Sequence, residues 1–143
     1  MARRPIYREI EHTADVGFEL TAPDLTSAFE SAAAAMFDLI CDLDTIGSMV
    51  RRTVRASARA GDREGLMVRW LSELLYVLAA EGLLLSEFDV RELSDGMIEA
   101  SVAGEPLDLD RHALRTDIKA ATYHDLAVEQ SDVGWVVRVI FDT

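Results

Sequence analysis

The chain has 143 residues, with 26 acidic side chains against 14 lysines and arginines and a formal net charge of −12 at pH 7. Half of the residues are hydrophobic and 28% are charged, which is typical of one folded domain and excludes a disordered or fibrous chain. Nucleic-acid binders usually carry a basic surface that neutralises phosphates, so this acidity argues against stable direct binding of RNA or DNA. We therefore expect a single domain spanning residues 1–143.

The first half of the chain predicts strands and helices in alternation. Residues 7–20 form a strand pattern that polar residues interrupt near 12–15, and residues 50–60 alternate as a half-exposed strand. Apolar residues at three- and four-residue spacing predict helices over residues 25–41 and 63–81, with Asp24 and Asp62 as N-caps. Cys41, the only cysteine, follows the first helix among apolar residues, which predicts a buried, inert thiol.

The second half predicts four strands. Residues 88–102 form a hairpin around a Ser-Asp-Gly turn, and two further strands cover residues 122–130 and 134–141. The last strand is apolar on both faces and is therefore expected at the centre of the sheet. Residues 104–121 form an irregular connection or carry one short helical turn, and connections of that length are often functional. The order β-α-β-α-β-β-β-β predicts an α+β fold in which two helices pack on one mixed sheet.

No segment of the sequence indicates a membrane or an export route. No stretch approaches the ~20 apolar residues of a membrane span, and the N-terminal residues lack the apolar run of a secretory signal. We expect a soluble, cytoplasmic protein that does not contact a membrane.

Three polar segments interrupt or end apolar strands, at residues 11–15, 117–125 and 140–143. If Asp15 lies near Asp142 and the terminal carboxylate of Thr143, their oxygens would suit a hard cation such as Ca²⁺ or Mg²⁺. The alternative is that Asp142 ends a strand in solvent and Asp15 makes a local turn hydrogen bond.

Lys119 is the only lysine among 14 basic residues, since the other thirteen are arginines. A lysine offers a compact ammonium group that the planar guanidinium of arginine does not reproduce. This marks Lys119 as a candidate functional residue, with chance as the alternative explanation.

Other catalytic patterns are weak. His12, His112 and His124 could in principle join Cys41 at a metal, but no pair has the local spacing of a zinc site. Alternation places His124 with apolar neighbours, as a hydrogen-bonded core histidine would be. The sequence contains no Gly-x-Ser-x-Gly motif and no glycine-rich phosphate loop.

Taken together, the polar segments and their flanks resemble the archease family over essentially the whole chain. The matching segments are IEHTADVGFEL, MVRWLSELLY, TDIKAATYHDLAV and GWVVRVIFDT, in the order in which the family has them. Ala121 departs from the family pattern, in which many members have valine, and this is a packing change outside the polar positions.

This resemblance implies an α+β domain related to the strand-helix-strand-strand class, which acts as a protein cofactor and is not an enzyme itself. Its partner would be the GTP-dependent, RtcB-type RNA-splicing ligase, whose guanylylation and multiple turnover it promotes in tRNA splicing and RNA repair. The resemblance assigns calcium binding to Asp15, Asp142 and Thr143 and the activating role to Lys119. The residues expected to support Lys119 are His12, Asp117 and His124.

Two other classes of function stay open at this stage. A stand-alone metal-dependent hydrolase could use Asp15, His12 and Lys119, although the sequence shows no positioned nucleophile or base. A small-molecule-binding or chaperone module is the third hypothesis. A ligation assay with the cognate ligase would discriminate among the three.

Overall fold

The computed structural model describes residues 5–12 and 15–143 of the chain. The elements in chain order are β1 (Arg8–His12), β2 (Asp15–Ala22), α1 (Leu25–Ile40), β3 (Val50–Ser57), α2 (Arg63–Glu81), β4 (Leu83–Ser94), β5 (Met97–Pro106), β6 (Ala120–Ala121), β7 (Ala127–Ser131) and β8 (Gly134–Asp142). The α+β class and the two helices are as the sequence predicted. None of the helices in these ranges is both long enough and apolar enough to cross a membrane.

The strands form two antiparallel sheets where the sequence pattern predicted one mixed sheet. One sheet has the order β1-β2-β8, with β6 and β7 both pairing with the other edge of β8, and the second has the order β3-β5-β4. α1 connects β2 of the first sheet to β3 of the second. α2 connects β3 to β4, which point the same way but have β5 between them. β3 and β4 therefore do not pair with each other, and each pairs antiparallel with β5.

Both helices begin at the predicted aspartate caps. Asp24 accepts a hydrogen bond from the backbone N–H of Ser27 at 2.8 Å, and Asp62 accepts one from Gly65 at 2.9 Å. α2 ends at Gly82, whose φ of 67° is the left-handed conformation that glycine adopts at helix ends. Each helix is thus bounded by local side-chain and backbone chemistry that the sequence makes visible.

The core lies between the helices and the sheets. Trp70 of α2 is fully buried, and its indole N–H donates to the backbone oxygen of Phe29 in α1 at 2.9 Å, which ties the two helices together. Cys41 is also fully buried, as its apolar surroundings predicted. Trp135 of β8 is partly buried against this core, and the guanidinium of Arg63 lies 4.7 Å from its ring centre.

β8 is central in its sheet, as predicted, and its close approach to β2 requires a glycine. Gly17 pairs with Ile140, and a methyl group at Gly17 would collide with the backbone oxygen of Val139. The missing side chain therefore lets the two strands pack closely just two residues after Asp15.

Candidate functional site

The ends of three neighbouring strands bring Asp15, Asp142 and Lys119 to one end of the first sheet. Val16 pairs with Phe141 in the β2–β8 ladder, so Asp15 and Asp142 occupy the next position on each strand. On the opposite edge of β8, Ala120 pairs with Asp142, and the backbone N–H of Lys119 donates to the backbone oxygen of Asp142 at 2.8 Å. Residues that are more than 100 positions apart in the sequence thus share one sheet end.

Burial changes abruptly at this sheet end. Phe141 is fully buried and Ile118 is 7% exposed, whereas Asp142, Thr143 and Lys119 are exposed. Asp142 follows the buried Ile140 and Phe141, and its side chain is exposed because it is the last residue of β8. The exposed residues Asp142 and Lys119 therefore directly follow buried apolar residues, which fix the position of their backbone.

The residues expected to support Lys119 differ in how the structure places them. Asp117 is exposed and lies two residues before Lys119. His12 pairs with Asp15 in the β1–β2 ladder, and its side chain lies outside the described part of the structure, as do Thr13 and Ala14 entirely.

Alternation had suggested that His124 is a core residue of a strand, and this prediction is wrong. Its ring is 59% exposed, and its Nε2 lies 3.4 Å from the carboxylate of Asp125. Residues 122–126 form a turn instead, in which Asp125 has the left-handed φ of 51°. A strand cannot continue through that conformation, and pairing with β8 resumes only at Ala127.

The connection that carries Lys119, residues 107–119, is tied to the second sheet by a buried carboxylate that sequence reasoning did not single out. Glu105, at the end of β5, is nearly fully buried and accepts hydrogen bonds from both outer nitrogens of Arg111, at 2.7 and 3.0 Å. The backbone N–H of Gly47 also donates to it. The Arg111 guanidinium is the main reason that the pKa of Glu105 is lowered to about 2.

His112 completes this buried group and is not available to a metal. Its Nδ1 accepts the backbone N–H of Asp108 at 3.0 Å and therefore carries no proton. Its Nε2, 3.1 Å from the Glu105 carboxylate, is then the protonated nitrogen and donates to it. Since both ring nitrogens are engaged, His112 serves as a structural hydrogen-bonding group.

A second tether fixes the middle of the same connection to the end of α1. The backbone N–H of Arg115 donates to the oxygen of Ile40 at 2.8 Å, and its guanidinium donates to the backbone oxygen of Asp38 at 3.1 Å. The Asp38 carboxylate is itself buried and accepts hydrogen bonds from the Tyr7 hydroxyl and the Leu43 backbone. Burial, together with the hydrogen bond to Asp38, raises the pKa of Tyr7.

The donor groups at the sheet end fit a hard cation by their chemistry. Among the side chains that the structure describes, which do not include those of residues 1–4 and 11–14, no three of His, Cys, Asp or Glu gather as a metal site. Asp15 and Asp142 instead supply two carboxylates, beside which Thr143 adds backbone oxygen. Oxygen donors of this kind suit Ca²⁺ or Mg²⁺ and do not suit the softer ions that prefer cysteine or histidine.

Known proteins resemble this chain over nearly its whole length. The model of the archease protein family (MTH1598/TM1083) matches residues 7–143. "Protein archease" of Methanopyrus kandleri is 40% identical, with 95% of this chain and 98% of that protein covered, and "Protein archease" of Pyrococcus furiosus is 34% identical, with 95% and 97% covered.

A solved structure shows the same architecture. The solution structure of Methanobacterium thermoautotrophicum protein 1598 superposes with a TM-score of 0.81 at 33% identity, and the match covers 96% of this chain and 98% of that one. Sequence and structure thus agree over both helices and both sheets. The chain belongs to the archease protein family.

Proposed function

We propose that this protein is an activating cofactor of a GTP-dependent, RtcB-type RNA-splicing ligase and that it promotes guanylylation and multiple turnover of that ligase. The observation that carries the proposal is that the chain's only lysine and two aspartates lie at the same end of the first sheet. Membership of the archease family supports a role exerted on a protein partner. In this proposal the chain has no enzymatic activity of its own and works in the cytoplasm in tRNA processing.

Lys119 is built to present its ammonium group from a fixed backbone. Its N–H is bonded to β8, and the preceding connection is tied down at Glu105 and Arg115, so the side chain extends from an anchored position. An ammonium group donates hydrogen bonds in several directions, which suits a phosphate oxygen or carboxylate in the nucleotide site of a partner. We assign to Lys119 the role of orienting such an anionic group during guanylylation.

Asp15, Asp142 and Thr143 are the proposed ligands of Ca²⁺ or a similar hard cation. A bound cation would offset the repulsion between the carboxylates and could accept further oxygen ligands from a partner. The net charge of −12 agrees with a role in which the ligase binds the RNA and this chain does not have to bind it.

The test is a multiple-turnover ligation assay with the cognate ligase, GTP and RNA ends, with and without this protein, in which guanylylated ligase is also measured. We expect the native chain to raise turnover and guanylylation, and Lys119→Ala and Lys119→Arg to lose this effect while melting normally. Arg59→Ala removes an exposed cation from the loop before α2 and should stimulate fully. Absence of stimulation by the native chain would overturn the proposal. Full stimulation by Lys119→Ala would remove Lys119 from it.

Calcium binding is tested separately by calorimetry. Asp142→Ala should lower the Ca²⁺ affinity by about tenfold or more, because it removes a charged ligand. Asp132→Ala, at the opposite end of β8, removes an exposed carboxylate of the same kind and should leave the affinity unchanged. Equal affinities for Asp142→Ala and the native chain would refute the assignment.

A further inference from the structure

Tyr123 is an exposed aromatic side chain at the edge of the sheet end that holds Lys119 and Asp142. It is 64% exposed, and it comes immediately after Thr122, whose backbone N–H bonds to the oxygen of Ile140 in β8. Its neighbours Ala121 and Leu126 pack against the core, so the turn buries small and aliphatic groups and leaves the large ring outside. Nothing in the proposed roles of Lys119 and the aspartates uses this ring.

Hydrogen bonds from Thr122 and Leu126 hold the backbone of the turn that presents Tyr123, residues 122–126. Both the N–H and the hydroxyl of Thr122 donate to the Ile140 oxygen, at 3.0 and 2.8 Å, and the N–H of Leu126 donates to the Tyr123 oxygen at 3.4 Å. Asp125 has φ of 51°, the only positive φ outside glycine in the described part of the chain. A partner that covers the ring therefore does not have to order the backbone that carries it.

The negative charge around Tyr123 favours a positively charged partner surface. Asp117, Asp125 and Asp142 are exposed on the surrounding segments, in a chain whose net charge is −12. These carboxylates repel nucleic acid and attract arginine and lysine, and a guanidinium group also stacks favourably on a tyrosine ring. Tyrosine is among the residue types that most often dominate binding energy at protein interfaces.

We infer that Tyr123 is the anchor of a protein-docking surface that contacts an arginine- or lysine-rich surface of the ligase, an inference that rests on the proposed function. The docking surface comprises Tyr123 and the carboxylates of Asp117 and Asp125. Its residues flank Lys119 along the chain, so docking there would bring Lys119 to the partner in a defined orientation. Tyr123 then determines affinity, and Lys119 acts once the two proteins are joined.

The chain supplies a matched control for this inference in Tyr76. Tyr76 lies on α2 and is 67% exposed, so Tyr76→Ala removes the same group from an equally open position. Binding of the full chain to the cognate ligase is measured by interferometry. We expect Tyr123→Ala to raise Kd by about tenfold or more, Tyr76→Ala to leave it unchanged and Tyr123→Phe to keep most of the affinity. Binding by the native chain should weaken as salt rises from about 0.05 to about 0.3 M.

Stimulated ligation over a range of protein concentrations separates docking from activation. Tyr123→Ala should reach native stimulation at higher concentration, whereas Lys119→Ala should fail at every concentration. If the native chain neither binds nor stimulates the ligase, the proposed function fails and this inference fails with it. If the native chain does both and Tyr123→Ala binds with native affinity, or Tyr76→Ala weakens binding equally, only the docking surface is overturned. Tyr123-dependent binding of RNA without ligase would also overturn it.

Discussion

Replacing Glu105 by glutamine removes the charge on which the start of the Lys119 connection depends. The carboxylate accepts hydrogen bonds from Gly47, Arg111 and His112, and its side chain is only 3% exposed. A glutamine has one acceptor oxygen instead of two and would turn its NH₂ group toward one of these donors. We expect Glu105→Gln to fold but to be clearly less stable than the native chain.

The size of the effect follows from the pKa of Glu105, which the fold lowers from 4.5 to about 2. Each pKa unit corresponds to about 1.4 kcal/mol, so the ionised carboxylate contributes stability of about 3 kcal/mol. Because the folded-state pKa is the lower one, this contribution is present above pH 4.5 and is lost as the pH falls toward 2. At about 3 °C per kcal/mol, Glu105→Gln should lower Tm at pH 7 by about 6–10 °C.

Urea and thermal unfolding of the native chain and Glu105→Gln, followed by circular dichroism between pH 7 and pH 2.5, measure this effect. Glu99→Gln is the control on the same strand, since Glu99 forms an exposed pair with Arg55 and should contribute less than about 1 kcal/mol. The native chain should lose more stability than Glu105→Gln as the pH falls below 4.5. The reasoning is refuted if Glu105→Gln costs no more than Glu99→Gln, or if both proteins show the same acid dependence.

Two further substitutions test the framework around the site. Gly17→Ala should lower the free energy of unfolding by about 2 kcal/mol or more, because the new methyl group meets the Val139 carbonyl; urea unfolding measures this, and a loss below about 0.5 kcal/mol would contradict it. Tyr7→Phe removes a donor from the buried Asp38 carboxylate and should cost about 1–3 kcal/mol in thermal unfolding. The raised pKa of Tyr7 further predicts that its phenol ionises at higher pH than free tyrosine in a spectroscopic titration, and ionisation at the ordinary pH of tyrosine would contradict its hydrogen bond to Asp38.

Local chemistry made the helices predictable, whereas the sheets depended on long-range pairing. Asp24, Asp62 and Gly82 mark helix ends through contacts made within a few residues, so periodicity and capping suffice to find them. Alternation in a strand shows which face is buried but not which strand lies alongside. The strand β4 also begins earlier than predicted, because its first residues, 83–85, form a continuous apolar run without alternation.

The same distinction applies to the site. Lys119 and Asp142 were visible as unusual polar residues beside apolar strands, and their common sheet end then followed from the pairing of β8. Glu105 gave no such signal, since one of its donors, Gly47, is 58 residues away. Arg111 and His112, six and seven residues after Glu105, are the sequence signal that could have indicated its role. A carboxylate that is followed at this distance by two potential hydrogen-bond donors can anchor a turn.

The placement of Lys119 depends on both sheets at once. The connection that carries it lacks helix and has no strand before β6, so its shape comes from attachments that include Glu105 on β5, the end of α1 at Arg115, and β8 at Asp142. Releasing one attachment should loosen the connection without removing the ammonium group. Glu105→Gln is therefore expected to speed amide hydrogen exchange within residues 108–118, whereas Lys119→Ala should leave exchange there unchanged. A connection of this kind fixes the backbone of Lys119 as firmly as a strand would and leaves its side chain exposed to a partner.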